Sequence, residues 1–414
     1  GADAQAVFHR LFELLEAISR RSAYLALLTE HPTMLPRLAQ LMGASQWAAE
    51  YLTRHPILLD ELLDPRVLLA EPDWETWRAE LARLLASQAG DVEEQMDILR
   101  QFKHAQSFRL LAQDLAGTLT VERLADHLSA LADVILAATL AEVWAQMQGP
   151  EAPPPKFAII GFGKLGGKEL GYASDLDLVF LYDDADDSGQ ERYLRLARRL
   201  VTWLTSLTPA GQLYDIDLRL RPDGAKGLMS SSLAGFRRYE REQAWTWEHQ
   251  ALTRARFIAG DAAIGAAFED ERNSILCLPR DRGKLEADVV DMRRRMLAGH
   301  PNPTPLFDLK HDMGGMVDVE FAVQYLVLAH AHDHAALTRN LGNIALLRIA
   351  GELGLVPVPM AAAAANAYRD YRRLQHQIRL TGAPHARVAP ELQADRRAAV
   401  NAPWIHVFGA SWIG

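Results

Sequence analysis

Apolar positions over residues 5–115 recur every three or four residues: Leu11, Leu14, Leu15 and Ile18, then Leu35, Leu38 and Leu41, then Ile98, Leu99, Phe102 and Leu110. Such stripes match the 3.6-residue helical period, so this stretch is predicted to be helical. Leu28-Thr-Glu-His-Pro returns as Leu52-Thr-Arg-His-Pro, a weak repeat that puts His31 and His55 at equivalent helix boundaries. With no further ligand nearby, the two histidines are read as structural. Thr120 is placed to cap a long amphipathic helix to about Gln148, which Gly149-Pro150 and Pro153-Pro154-Pro155 end. The pattern then changes. Phe157–Ile160 is a short apolar run, Asp175–Leu181 a second strand-like run, and Tyr214–Arg221 alternates strictly, with Asp215, Asp217, Arg219 and Arg221 on one face. Between them, residues 190–207 return to helical spacing with Leu207 on the apolar stripe, and the acidic loop Asp184–Asp187 reads as a turn. Ser230–Ser232 is placed to cap a helix from Leu233, and Trp245 and Trp247 are read as core. Beyond residue 275 helices resume, including a buried one through 316–329 and another through 361–380. No element is predicted after Val388. The expected architecture is α+β and predominantly helical: a small mixed β-sheet flanked by an N-terminal helical region and a C-terminal helical bundle. Boundaries are placed at 1–115, 116–275 and 276–414.

Composition narrows the class. A chain of 414 residues with 49% hydrophobic content can bury a large core, and its net charge of −9 argues against a broad nucleic-acid-binding surface. One cysteine, Cys277, excludes an internal disulfide and fits a reducing compartment. No secretory signal and no uninterrupted bilayer-spanning apolar run is found, so a cytoplasmic enzyme without membrane contact is expected. The absence of an initial methionine fits a segment of something longer.

The chemistry concentrates in FAIIGFGKLGGKELGYASDLDLVFLYD, residues 157–183. Asp175 and Asp177 share one face of a strand, and adjacent carboxylates repel unless a cation sits between them. Mg²⁺ suits such a pair, because it takes hard oxygen ligands and shares them with phosphates. The glycines just upstream, Gly166 and Gly167 among them, let backbone approach those phosphates. Gly161-Phe-Gly163-Lys-Leu-Gly166 also fits a dinucleotide fingerprint, but the seven residues that follow are interrupted by Gly171, and the fingerprint leaves the paired aspartates unexplained. Asp217 supplies a third acid on the alternating segment, and Arg219 and Arg221 supply guanidinium groups suited to phosphate. Lys164 and Ser174 are further candidates in the loop, and Arg254 a minor one downstream.

Leu165-Gly166-Gly167, Asp175-Leu-Asp177 and Asp217 together resemble the pattern of DNA-polymerase-β-like nucleotidyltransferases. GFGKLGGKELGYASDLDLVFLYD and YDIDLRLRPDGAKGLMSSSLAGFRRY resemble, more narrowly, the glutamine-synthetase adenylyltransferase family. The resemblance extends to EAISRRSAYLALL, YLTRHPILLDELLDPR and FDLKHDMGGMVDVEFAVQYL. It implies that Asp175, Asp177 and Asp217 hold two Mg²⁺ ions, that Gly166 and Gly167 cradle the triphosphate of ATP, and that AMP passes to a tyrosine of glutamine synthetase. It further implies the C-terminal, attaching half of a two-halved enzyme, with the AMP-removing half as the nearest alternative, and a PII signal protein as regulator. An RNA-modifying nucleotidyltransferase and a non-catalytic scaffold of the same fold are the remoter alternatives.

Overall fold

The computed structural model describes residues 4–184 and 189–409. Most of the acidic loop Asp184–Asp187 therefore lies outside the described residues. The first five helices are α1 to α5 (Ala4–Ile18, Ser22–Glu30, Met34–Ala44, Gln46–Arg54, Pro65–Leu68), followed by α6 (Trp74–Ser87), α7 (Val92–Leu115) and α8 (Val121–Gln148). The strands β1 (Phe157–Gly161) and β2 (Leu176–Tyr182) flank the single-turn helix α9 (Gly163–Gly166). After α10 (Gly189–Thr205) come β3 (Ile216–Asp217), β4 (Ser230–Ser232), α11 (Leu233–Glu242), α12 (Thr246–Leu252) and β5 (Arg256–Gly260). The remainder is α13 (Ala262–Leu276), α14 (Arg282–Gly299), β6 (Phe307–Asp308), α15 (Met316–His330), α16 (Asn343–Glu352), α17 (Val358–Leu380), β7 (Arg387–Val388) and α18 (Ala394–Phe408). The fold is α+β and predominantly helical.

Local chemistry explains many of these ends. Asp73, Asp91, Thr120, Ser232, Asp261 and Asp281 each accept a backbone N–H of the first helical turn. His31 and His55 stop α2 and α4 at nearly the same backbone angles, φ −120°, ψ 65° and φ −126°, ψ 67°. His300, also followed by proline, stops α14 at φ −126°, ψ 62°. Proline's ring excludes the helical region for the residue before it, so the repeated His-Pro is a stop signal.

The central sheet runs β3-β2-β1-β5, with β1 antiparallel to both β2 and β5. Two short strands share the outer edge of β2: β3 pairs parallel with its start and β4 parallel with its end. One face packs on α6, α7, α8 and α10 through Ile159, Leu178 and Phe180. The other face packs on the C-terminal helices through Ala158, Ile160, Val179 and Leu181. A third cluster gathers α1 to α4, and α7 serves two clusters, giving Phe108 and Leu111 to the third and Leu99 and Phe102 to the second. By length and composition α8 is long and apolar enough to cross a membrane, yet most of it is buried in this fold.

Several expectations need correction. The alternating segment 214–221 forms only the two-residue β3, because the chain turns beyond Asp217. Ser230–Ser232 is itself a strand, β4, as well as carrying the α11 cap. Leu207 lies beyond α10 and is 81% exposed, and Trp245 is 70% exposed at the start of α12 rather than in the core. The described part of the unassigned tail, through residue 409, forms secondary structure: β7 pairs with β6, and α18 buries Trp404 and Phe408 among the C-terminal helices.

Candidate active site

The site begins with β1, whose residues are all buried on both faces. Its chain leaves at Gly161 and turns immediately into α9. Gly163 adopts φ +55°, and a Cβ added there would fall 2.1 Å from Asp177 Oδ2. Only glycine lets the loop approach that carboxylate so closely. Gly166 and Gly167 serve a different contact. Both are buried, and their N–H groups donate to Phe162 O and Gly163 O at 2.9 and 3.0 Å. A Cβ on Gly166 would meet Arg254 O at 1.9 Å, and one on Gly167 the Arg254 guanidinium at 2.7 Å. These two glycines thus seat the loop against Arg254, and their N–H groups are already spent.

The three aspartates do come together. Asp175 is exposed just ahead of β2, Asp177 is half-buried within it, and Asp217 is paired directly with Asp177 across the parallel β2–β3 ladder. Burial, then the charges of Asp175 and Asp217, push the Asp177 carboxyl up to about 6. Asp217 moves the opposite way. Its carboxylate accepts the Arg219 N–H at 2.8 Å and Nε at 2.7 Å, and these bonds hold it below the usual range. Arg219 is otherwise exposed, with its own pKa raised by Asp217. Arg221 is turned away: it donates to Leu218 O (2.7 Å), Ala225 O (3.1 Å) and Gly227 O (3.2 Å), clamping the turn after β3. Asp215 is exposed and accepts from Gln212 Nε2 at 2.7 Å; burial lowers Lys103 to about 8, with the Asp215 charge opposing. Ser174 Oγ accepts the Gly171 N–H at 3.0 Å and lies 3.4 Å from Lys164 Nζ.

Oxygen donors in this arrangement suit a hard divalent cation, and the raised Asp177 marks repulsion that a cation would relieve. Among the described residues no three such side chains are positioned to enclose an ion as they stand, Asp217 being turned onto Arg219. The negative charge faces a cationic rim. Lys164 is lowered to about 8 by burial, then by Lys310 and Arg379, with Asp175 and Glu320 opposing. Lys310 follows β6 and Arg379 ends α17. Sequence reasoning did not single out either, since nothing local marks a cation brought in from distant elements.

Two other supports were not legible either. Arg100, fully buried on α7, donates to the carbonyls of Trp203, Ser206 and Gly211 at 2.7 to 2.8 Å. It thereby fixes the segment leading into β3. Glu169, at the end of the glycine loop, accepts from Arg254 (2.5 Å) and Tyr368 (3.0 Å), and so ties the loop to α17. Arg254 reaches Glu320 as well, at 3.5 Å.

A small mixed sheet carrying an acid pair at the start of one strand, a third acid on its parallel neighbour and a glycine turn against them is the architecture of a nucleotidyltransferase. A family model described as glutamate-ammonia ligase adenylyltransferase matches residues 35–271. The chain is 58% identical over 402 residues to a bifunctional glutamine synthetase adenylyltransferase/adenylyl-removing enzyme of Aromatoleum aromaticum, covering 97% of this chain and 43% of that protein. Proteins of the same description from Bordetella bronchiseptica and Chromobacterium violaceum are 54% and 58% identical, over 95% and 91% of this chain and 42% of each relative. The chain belongs to the glutamate–ammonia ligase adenylyltransferase family. It spans less than half the length of these relatives.

Proposed function

We propose that the chain transfers AMP from ATP to a tyrosine hydroxyl of glutamine synthetase, as the adenylylating half of a longer bifunctional enzyme. The observation that supports this most directly is the register of Asp177 with Asp217, beside Asp175 and under the close approach of Gly163. Asp175, Asp177 and Asp217 would hold two Mg²⁺ ions once Asp217 releases Arg219. Bound there, Mg²⁺ offsets phosphate charge and lowers the pKa of a coordinated hydroxyl. The protein's own share is positional. The α9 turn brings the backbone at Gly163 close against Asp177, so that bound phosphate and the acids would share one edge of the loop. Arg219, freed from Asp217, and Lys164 supply charge for the phosphates. Arg221 and Arg100 keep β3, and with it Asp217, in register. An acceptor tyrosine has an ordinary pKa of about 10, so its proton must pass to a base as its oxygen bonds the α-phosphorus and the bond from that phosphorus to the α–β bridging oxygen breaks, releasing pyrophosphate.

The division of the chain near residues 115 and 275 belongs to the same proposal, with α7 shared across the first boundary. So do a cytoplasmic location and control by a PII signal protein. Incubation with labelled ATP, Mg²⁺ and glutamine synthetase tests the proposal: labelled AMP on a tyrosine is expected. Phosphate-dependent removal of the AMP group from modified glutamine synthetase, as ADP with the tyrosine hydroxyl restored and without attachment, would make this the removing half instead.

A further inference from the structure

A cavity of about 740 Å³ opens between α16, α17 and the first turns of α8, with Gly167, Lys168 and Glu169 along one wall. None of the three aspartates lines it. Its volume falls within the roughly 300–1,000 Å³ of small-molecule sites. Ala361, Ala362 and Ala365 of α17 and Gly351 of α16 give it a flat apolar wall. Of its arginines, Arg348 is held by Glu352 at 3.0 Å and Arg369 by Glu122 at 2.8 Å. Arg372 differs. Its side chain is only 12% exposed and makes no hydrogen bond among the described residues; it forms an ion pair with Glu169, Nη1 to Oε1 at 3.6 Å. The other oxygen of Glu169 is occupied by Arg254 and Tyr368.

A guanidinium carries five donors in a rigid fork that matches a carboxylate or phosphate. Arg372 faces the cavity with donors that reach its solvent and only one carboxylate at ion-pair distance, so the fork is open to an oxyanion as a second partner. Lys168, exposed on the wall of the same cavity and held at φ 53°, adds a second positive charge. Asp126 also lines the cavity but is exposed, where solvent screens it. We propose that this cavity binds a small organic oxyanion, its carboxylate or phosphate forked on Arg372 and its apolar body against the alanine wall of α17. The site reaches the catalytic loop by a short path. Glu169 N–H donates to Lys164 O at 2.7 Å, and the Lys164 side chain stands in the field of Asp175. Drawing Arg372 away from Glu169 therefore perturbs the loop that approaches Asp177, and the two sites influence each other reciprocally.

The test is calorimetric titration of the whole chain with benzoate and with phenyl phosphate, alone and beside a saturating non-hydrolysable ATP analogue. The two probes separate the carboxylate from the phosphate form of the same chemistry. At least one is expected to bind, and to bind in the presence of the ATP analogue. Arg372→Gln should weaken it by about tenfold or more, as loss of a charge-assisted bond does. Ala362→Trp, placed at an exposed helix position, should block the cavity without touching the loop. Arg373→Gln, on the neighbouring exposed arginine, should leave binding as it was. Binding of neither probe overturns the proposal, and so does wild-type affinity in Ala362→Trp, which would put the anion in the neighbouring cleft that Arg372 also lines. Simple competition with the ATP analogue overturns it too, by assigning the cavity to the nucleotide. None of these outcomes depends on whether glutamine synthetase is the acceptor.

Discussion

Asp177 carries the conflict on which the site is built. It is pushed up to about 6 by burial and by two neighbouring carboxylates, so its ionised form is disfavoured in the folded chain. Ionisation of a group whose folded pKa is raised costs stability as pH rises above its unfolded value. Asp177→Asn is therefore expected to hold or raise the melting temperature at neutral pH without Mg²⁺ while abolishing AMP transfer. Near-normal transfer in that variant would remove Asp177 from the metal set. The neighbouring acids divide as their contacts do. Asp217 faces Asp177 in register, whereas Asp215 lies two residues back, occupied by Gln212. Asp217→Asn should lower the catalytic rate by several orders of magnitude with little change in ATP affinity, and Asp215→Asn should cost little. Steady-state rates that rank the two the other way round would contradict the observed register.

At the scale of elements, the third acid stands on a strand of two residues, and so depends on what surrounds that strand. Arg221 clamps the turn after it and Arg100 the segment before it. Arg100→Lys keeps the charge but cannot reach all those carbonyls from one head group. A buried acceptor left unbonded costs about 1–3 kcal/mol. We expect a loss of about 2 kcal/mol or more in denaturant unfolding, together with lower activity and an unchanged slope. Full activity in the destabilised variant would show that β3 holds its register without this clamp. The same dependence explains why the segment reads as a longer strand than it forms. Alternation of polar and apolar residues records which side faces the core, and a turn tied down by arginine–carbonyl bonds satisfies the same alternation.

Across the whole molecule, Glu169 is where the glycine loop, the sheet and the C-terminal helices meet. Burial alone would raise its carboxyl, but Arg254 and Arg372 outweigh that and hold it below its ordinary value of 4.5. A depressed folded pKa contributes stability that is present above the unfolded value and is lost as pH falls through the folded one. Glu169→Gln should cost about 3 kcal/mol at neutral pH, since it leaves buried guanidinium groups short of their counter-charge. It should also flatten the fall in stability on acidification. Urea midpoints for both proteins at neutral pH and at about pH 4 check this; parallel pH profiles would show that Glu169 is not the titrating contact.

The sequence alone determined the local features: helical periods, caps, His-Pro stops, two strands and the place of Asp175 and Asp177 at the start of the second strand. Each depends on neighbours a few residues apart, where spacing and side-chain chemistry suffice. The family wording of the glycine loop and its aspartates is equally local, so the affiliation was legible there too. Only the tertiary structure decided the contacts among residues far apart in the chain. It placed Arg254 rather than open space against Gly166 and Gly167, brought Lys310 and Arg379 toward Lys164, and buried Arg100 against the segment ahead of β3. It also put Trp245 outside and Trp404 inside. An arginine's partner, or a tryptophan's exposure, depends on which surfaces the packed helices leave open, and no periodicity within one segment records that.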